Sequence, residues 1–304
     1  MNHSPSPSVA VAGTAAPAAV GWRVVLGVFK LRIGVLITLT AVAGLAIVPD
    51  GSITRWQALV LALSVLVASA SAGAFNQFYE AGSDRLMERT RQRAFASGTL
   101  ARSKLWLFAM AAMLVAAVGA AAWWVNAVAA VFVLLGAVTY AFVYTVGLKR
   151  RTPWNIVIGG LAGSFAVLAG AAAVNPSVGA QGWLLALVLF LWTPPHFWSL
   201  AIATEAQYAA AGIPMLPVVV GVARAARIVH ASAIMLVLAT LLPLAFGAGW
   251  VYALGAVVGG VHFVRKTAAL AREPVRERAM AAFFASMVQL SVLIVGILID
   301  AALR

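Results

Sequence analysis

KLWLFAMAAMLVAAVGAAAWWVNAVAAVFVLLGAVTYAFVYTVGLK, Lys104 to Lys149, has no acidic or basic residue between its terminal lysines. A helix crosses the hydrocarbon core of a bilayer with about 20 apolar residues, so this run reads as two crossings joined by a short turn. The rest of the chain repeats the pattern. Of its 304 residues 63% are hydrophobic and only 10% charged, and the mean hydropathy is +1.00. No soluble domain buries that much apolar surface, so the expected fold is all-α: a polytopic membrane protein of about nine transmembrane helices bundled around a central cavity. With no cysteine, disulfides, thiolate metal sites and a cysteine nucleophile are excluded together.

The nine expected spans are Val24 to Val48, Trp56 to Phe75, Lys104 to Trp124, Ala127 to Gly147, Asn155 to Val174, Trp183 to Ala203, Arg227 to Phe246, Trp250 to Val264 and Met280 to Leu298. Residues 1–22 contain no Lys or Arg and read as a disordered cytoplasmic tail, leaving 23–304 as one transmembrane domain. The formal charge of +13 would suggest nucleic acid in a soluble chain. In a membrane chain it reports topology instead. With the N-terminus inside, all 21 Lys and Arg residues except Arg55 and Arg304 fall at inner ends or in inner loops.

Against this apolar background, NQFYEAGSDRLMERTRQR, Asn76 to Arg93, is densely charged. Asn76, Glu80 and Asp84 stand at i, i+4 and i+8, so a continuing helix puts all three on one face. Two carboxylates and an amide form a hard-cation site suited to Mg²⁺, which commonly bridges carboxylates to substrate phosphates. Arg85, Arg89, Arg91 and Arg93 follow, and guanidinium forks hold phosphate oxygens. Metal plus arginines implies a diphosphate; the competing reading is a solvated inner loop that anchors topology. Two more inner loops carry polar side chains, Lys149, Arg150 and Arg151 after the fourth span and Glu205 and Tyr208 after the sixth. The sixth span itself contains Trp192, Pro194, Pro195 and the intramembrane His196. An ionisable group at that depth is either functional or a satisfied structural histidine.

These segments resemble a known family. NQFYEAGSDRLMERT resembles the N-x-x-x-D-x-x-x-D-x-x-M-x-R-T motif of the protoheme IX farnesyltransferases (heme O synthases), which are UbiA-type intramembrane prenyltransferases. YTVGLKRRTPWNIVIGG, LFLWTPPHFWSLAI and AGIPMLPVVVG resemble the family's later motifs in the same order. The resemblance covers roughly Lys30 to Gly221. It implies farnesyl diphosphate as donor, heme b as acceptor, Mg²⁺ as cofactor, and transfer of the farnesyl group to the heme vinyl group in a bacterial inner membrane. It assigns catalysis to Asn76, Glu80, Asp84, Arg89 and Lys149, with Asn76, Glu80 and Asp84 as metal ligands. Substrate binding falls to Arg93, Arg150, Asn155, His196, Glu205 and Tyr208, with His196 a candidate heme ligand. Membrane lipid is a further partner, nucleic acid is not, and a homo-oligomer is left open.

The chain departs from the family pattern at defined places. Glu80 replaces an aspartate, Ala94-Phe95 replaces Pro-Leu, and Ala166-Val167 replaces a proline pair. An acidic pair before Tyr208 is replaced by Ala206-Gln207, with Glu205 the only acid nearby. Three further readings therefore stand beside heme farnesylation: a non-catalytic heme or isoprenoid binder, prenyl transfer to another lipophilic acceptor, and a transporter built on the proline-interrupted sixth span.

Overall fold

The computed structural model describes residues 21–49 and 53–303, and the regular structure among them is entirely helical. The expected tail lies outside the described residues except for Gly21 and Trp22, and Trp22 opens the first helix. Helices α1 (Trp22–Val28) and α2 (Leu31–Ile47) form one apolar column bent by 45°. The bend sits at Lys30, whose φ of 49° is left-handed, a conformation uncommon outside glycine, asparagine and aspartate. Helix α3 (Arg55–Tyr79) starts from a capping box between Thr54 and Gln57, which satisfies backbone donors at its first turn. It leads into the single turn α4 (Ala81–Asp84).

Helix α5 (Lys104–Trp124) turns at Asn126, whose Oδ1 accepts from the Ala129 amide at 2.8 Å and starts α6 (Ala127–Val138). Thr139–Leu148 continues that column as a π-helix. Then come α7 (Asn155–Gly159), α8 (Leu161–Val174), α9 (Gly179–Ala203), the short α10 (Glu205–Ala210) and α11 (Leu216–Val220), α12 (Val222–Ala239), α13 (Trp250–Arg272) and α14 (Arg276–Leu303). Pro194 and Pro195 lie within α9 without ending it.

Among the described residues seven helical spans are long and apolar enough to cross a membrane, and the bent α1–α2 column makes an eighth. The chain is thus a polytopic helical membrane protein, with a span count close to the expected nine. The remaining expected crossing is α13. Its 23 residues give a rise of about 35 Å, but His262, Arg265 and Lys266 occupy its second half and lower its apolar content.

The outward faces carry Leu105, Phe108, Val115 and Trp123, each more than two-thirds exposed. Such side chains are costly in water and ordinary against lipid. Inside, helices approach through small residues. On α2 Gly44 faces the Val167 backbone, and on α8 Gly170 faces the Ala41 carbonyl, so closely that a Cβ at either glycine would overlap the neighbouring backbone. Lipid tails are as apolar as leucine, so close van der Waals packing of this kind is what draws membrane helices together.

Candidate active site

The end of α3 delivers the acidic row. The Glu80 amide donates to the Asn76 carbonyl and the Asp84 amide to the Glu80 carbonyl, both at 2.9 Å. These i to i−4 bonds carry the helical register across the break between α3 and α4. Asn76, Glu80 and Asp84 are all almost fully buried, at 2%, 1% and 3% exposure. Burying two carboxylates is expensive unless each is paired and hydrogen-bonded, and here each has its own cation. Lys149 Nζ lies 2.6 Å from Glu80 Oε2, and Arg93 Nη1 donates to both Asp84 oxygens, at 3.0 and 2.8 Å.

A third cation joins from the bend in the first column. Lys30 Nζ donates to Asn76 Oδ1 at 2.6 Å and approaches the Tyr140 hydroxyl at 3.4 Å. Arg150 adds a donor to Ser83 Oγ at 2.8 Å. Lys30, Lys149, Arg93 and Arg150 thus bring four donor groups to a cluster that holds two carboxylates. A donor set of that size suits an anion with more oxygens than either carboxylate.

The π-helical segment supplies one wall. Asn76 Nδ2 donates to Thr145 Oγ1 at 3.0 Å, and that hydroxyl donates to the Tyr140 carbonyl five residues back, at 2.8 Å. Tyr140 and Tyr144 stack with ring centroids 5.7 Å apart. Lys30 lies 5.9 Å from the Tyr140 ring and Lys149 5.7 Å from the Tyr144 ring, both within cation–π range. π-Helical turns are frequent at functional sites, and this one sets the spacing of both tyrosines and of Lys149.

The other expected residues divide. Arg93 and Arg150 join the cluster, whereas Arg89 is exposed. Asn155 is fully buried and donates to the carbonyls of Thr152 at 2.6 Å and Lys149 at 3.4 Å. It therefore holds the loop that presents Lys149, while its own Oδ1 is buried without a partner. Tyr208 packs with Trp198, Met87 and Ile156 in a cluster that joins α9 and α10 to the turn after α4. Glu205 is half-buried at the start of α10, and Gln207 Oε1, in place of a family acid, is buried without a partner.

His196 belongs to a separate group. Its Nδ1 lies 2.6 Å from Ser286 Oγ on α14, and its ring is stacked between Trp192 at 4.1 Å and Phe283 at 4.5 Å. Trp192 Nε1 donates to the Ser286 carbonyl at 2.9 Å. These contacts join α9 to α14 and fix the imidazole plane.

Lys30, Ser83, Thr145 and Tyr144 belong to the cluster but were absent from the sequence-derived candidates. Lys30 had a legible signal, since a lysine inside an apolar span needs a partner. The other three are ordinary residues until the fold brings them together.

Among the described residues no three His, Cys, Asp or Glu side chains gather into a metal-binding group. The available donors, Asn76 Oδ1 and the Glu80 and Asp84 carboxylates, are hard oxygens on consecutive turns. They fit a Mg²⁺ ion that takes the rest of its shell from water and phosphate, the usual form of a protein Mg²⁺ site. The cations now held by the two carboxylates retain access to solvent, with side-chain exposures of 14% for Lys149 and 24% for Arg93, so they have room to move onto an incoming anion.

Residues 36–288 match the UbiA prenyltransferase family. Protoheme IX farnesyltransferase 2 of Paramagnetospirillum magneticum is 52% identical over 278 residues, covering 91% of this chain and 96% of that one. Protoheme IX farnesyltransferase of Hahella chejuensis is 38% identical over 287 residues, covering 93% and 95%. Among solved structures, digeranylgeranylglyceryl phosphate synthase aligns with a TM-score of 0.77 at 16% identity over 93% of this chain and 99% of its own. A UbiA homologue from Archaeoglobus fulgidus bound to DMAPP and Mg²⁺ aligns with a TM-score of 0.65 at 16% identity, covering 88% and 99%.

Proposed function

The chain belongs to the UbiA prenyltransferase family, and on that premise we propose that it transfers the farnesyl group of farnesyl diphosphate to a vinyl group of heme b, giving heme O and diphosphate. The observation that carries this reading is the buried row of Asn76, Glu80 and Asp84, each member touching one of Lys30, Lys149 and Arg93.

Breaking the allylic C–O bond moves negative charge onto the departing diphosphate, and preorganised donors stabilise charge most where water is excluded. Lys149 and Arg93 shift from carboxylate to phosphate oxygens as the donor arrives, and Arg150 reaches the same group from the next residue. Lys30 donates to Asn76 Oδ1 and so orients that amide beside the carboxylates. Mg²⁺, held by Glu80 and Asp84 with Asn76 as a further oxygen ligand, would supply Lewis-acid neutralisation of the leaving group.

The stacked faces of Tyr140 and Tyr144 favour a neighbouring allylic cation through their ring quadrupoles. The vinyl π bond of heme b attacks that cation at carbon. Water then supplies hydroxide to the resulting heme-side carbocation and releases a proton, which yields the hydroxyethylfarnesyl group. Early entry of water would quench the first cation, so the apolar surroundings of the site serve selectivity. His196 is the candidate residue on the acceptor side, its imidazole plane fixed by Trp192, Phe283 and Ser286. The N-terminus and the acidic row face the cytoplasm of a bacterial inner membrane, in accord with the basic residues of the inner loops. Residues 23–304 act as one catalytic domain.

The test is direct. Purified protein receives heme b, farnesyl diphosphate and Mg²⁺, and extracted hemes are resolved by chromatography and mass spectrometry. The farnesylated product is expected. The same assay on Ala206→Asp/Gln207→Asp separates the alternatives. Product only from that variant would mark a weakened enzyme, and heme binding without product from either protein would favour a binder.

A further inference from the structure

Two surface grooves follow the seam between α13 and α14 and share Val258. The larger, about 690 Å³, has His262, Arg265, Lys266 and Arg278 at its head and Val258 and Val261 below them. The smaller, about 380 Å³, continues past Leu254 and Gly255 to Val251 and is almost wholly apolar. From Arg265 to Val251 α13 rises about 21 Å, more than the roughly 15 Å that one leaflet contributes to a hydrocarbon core. Val258, Val261 and Leu254 are each more than half exposed.

We propose that this seam is a binding site for an anionic phospholipid, with the headgroup phosphate on Arg265, Lys266 and Arg278 and one acyl chain along the apolar groove. Its form is that of a lipid: cations at one end and a trough of leaflet depth behind them. Basic pockets between membrane helices recognise anionic headgroups, and guanidinium groups fork onto phosphate oxygens. Glu273 lies 3.4 Å from Arg278 Nε, but both side chains are more than half exposed, and an exposed pair of this kind yields readily to a stronger partner. A soluble phosphate would use the head and leave the apolar groove unfilled. The occupant is therefore a membrane lipid.

Native mass spectrometry of the full chain, titrated with dioleoyl phosphatidylglycerol or dioleoyl phosphatidylcholine, tests the assignment. Phosphatidylglycerol is expected to bind the parent at least tenfold more tightly, on the order of the preference one or two headgroup cations confer. Arg265→Gln/Lys266→Gln/Arg278→Gln should weaken it about a hundredfold. Val258→Trp, which fills the trough and leaves every cation in place, should weaken it too. Arg272→Gln/Arg276→Gln, outside the groove lining, should leave it unchanged. The proposal is overturned if the parent shows no preference, if Val258→Trp binds like the parent, or if farnesyl diphosphate displaces the lipid one for one. The parent comparison needs no variant, so a misfolded substitution cannot rescue the idea.

Discussion

Replacing Lys149 by methionine keeps most of the side chain's length and apolar contact and removes only its charge. In the folded protein that charge sits 2.6 Å from Glu80 Oε2, and Glu80 is 1% exposed. Removing one partner of a buried ion pair costs about 3–5 kcal/mol, because the other charge stays buried alone. At roughly 2 °C per kcal/mol for a chain of this size, Lys149→Met should lower the apparent unfolding temperature by about 6–10 °C in chelator. Glu80→Gln/Lys149→Met, which removes both charges, should recover most of that loss.

Mg²⁺ gives the diagnostic readout. In the parent the ion competes with Lys149 for Glu80, whereas in Lys149→Met it meets a carboxylate that lacks a cation. Mg²⁺ alone should therefore bind the variant more tightly than the parent; at a hundred times the variant's dissociation constant it should stabilise the variant by about 2.7 kcal/mol, and the parent by less at the same concentration. Turnover should still fall, since Lys149 no longer reaches the diphosphate. Thermal unfolding in detergent, run with EDTA and then with a Mg²⁺ series, measures both effects. Were Lys149→Met to unfold within a degree or two of the parent in EDTA, or to gain nothing extra from Mg²⁺, the competition between lysine and metal for Glu80 would be wrong.

Asp84→Asn and Glu80→Gln, each neutralising one buried carboxylate, should reduce heme farnesylation about a hundredfold or more, the usual scale for losing one charge-stabilising group; near-parent, Mg²⁺-dependent turnover in both would remove the row from the mechanism. Gly170→Val should destabilise the protein by at least about 1–3 kcal/mol, because a Cβ there overlaps the Ala41 carbonyl of α2, and an unchanged unfolding temperature would count against that close approach. Reporter fusions after Gly98, Arg151 and Arg272 should report the cytoplasm, and fusions after Gly179 and Gly247 the opposite side. A periplasmic signal at Arg151 would overturn the topology.

Much of this protein was legible from residues in order. Apolar runs such as Leu105 to Trp124 leave backbone polar groups no partner in lipid except their own helix, so helical spans follow from composition alone. Asn76, Glu80 and Asp84 share a face by helical periodicity, and the i to i−4 bonds across the α3–α4 break maintain it. Local rules suffice there because the interacting groups lie within one or two turns. α13 was the least clear span, since its basic second half mixes the signals of crossing helix and interfacial anchor.

What the order of residues left open was which distant groups meet. Lys30 reaches Asn76 over 46 residues, Lys149 reaches Glu80 over 69, and Ser286 reaches His196 over 90. The π-helical register at Thr139–Leu148 was equally hidden, because its sequence is as apolar as any α-helical span; only in the folded bundle do its Thr145 and the following Lys149 meet the acidic row and its Tyr140 meet Lys30. Local propensity acts over a turn or two, whereas a buried carboxylate is neutralised by whichever cation the packed helices carry to it, and only the tertiary structure decides that pairing.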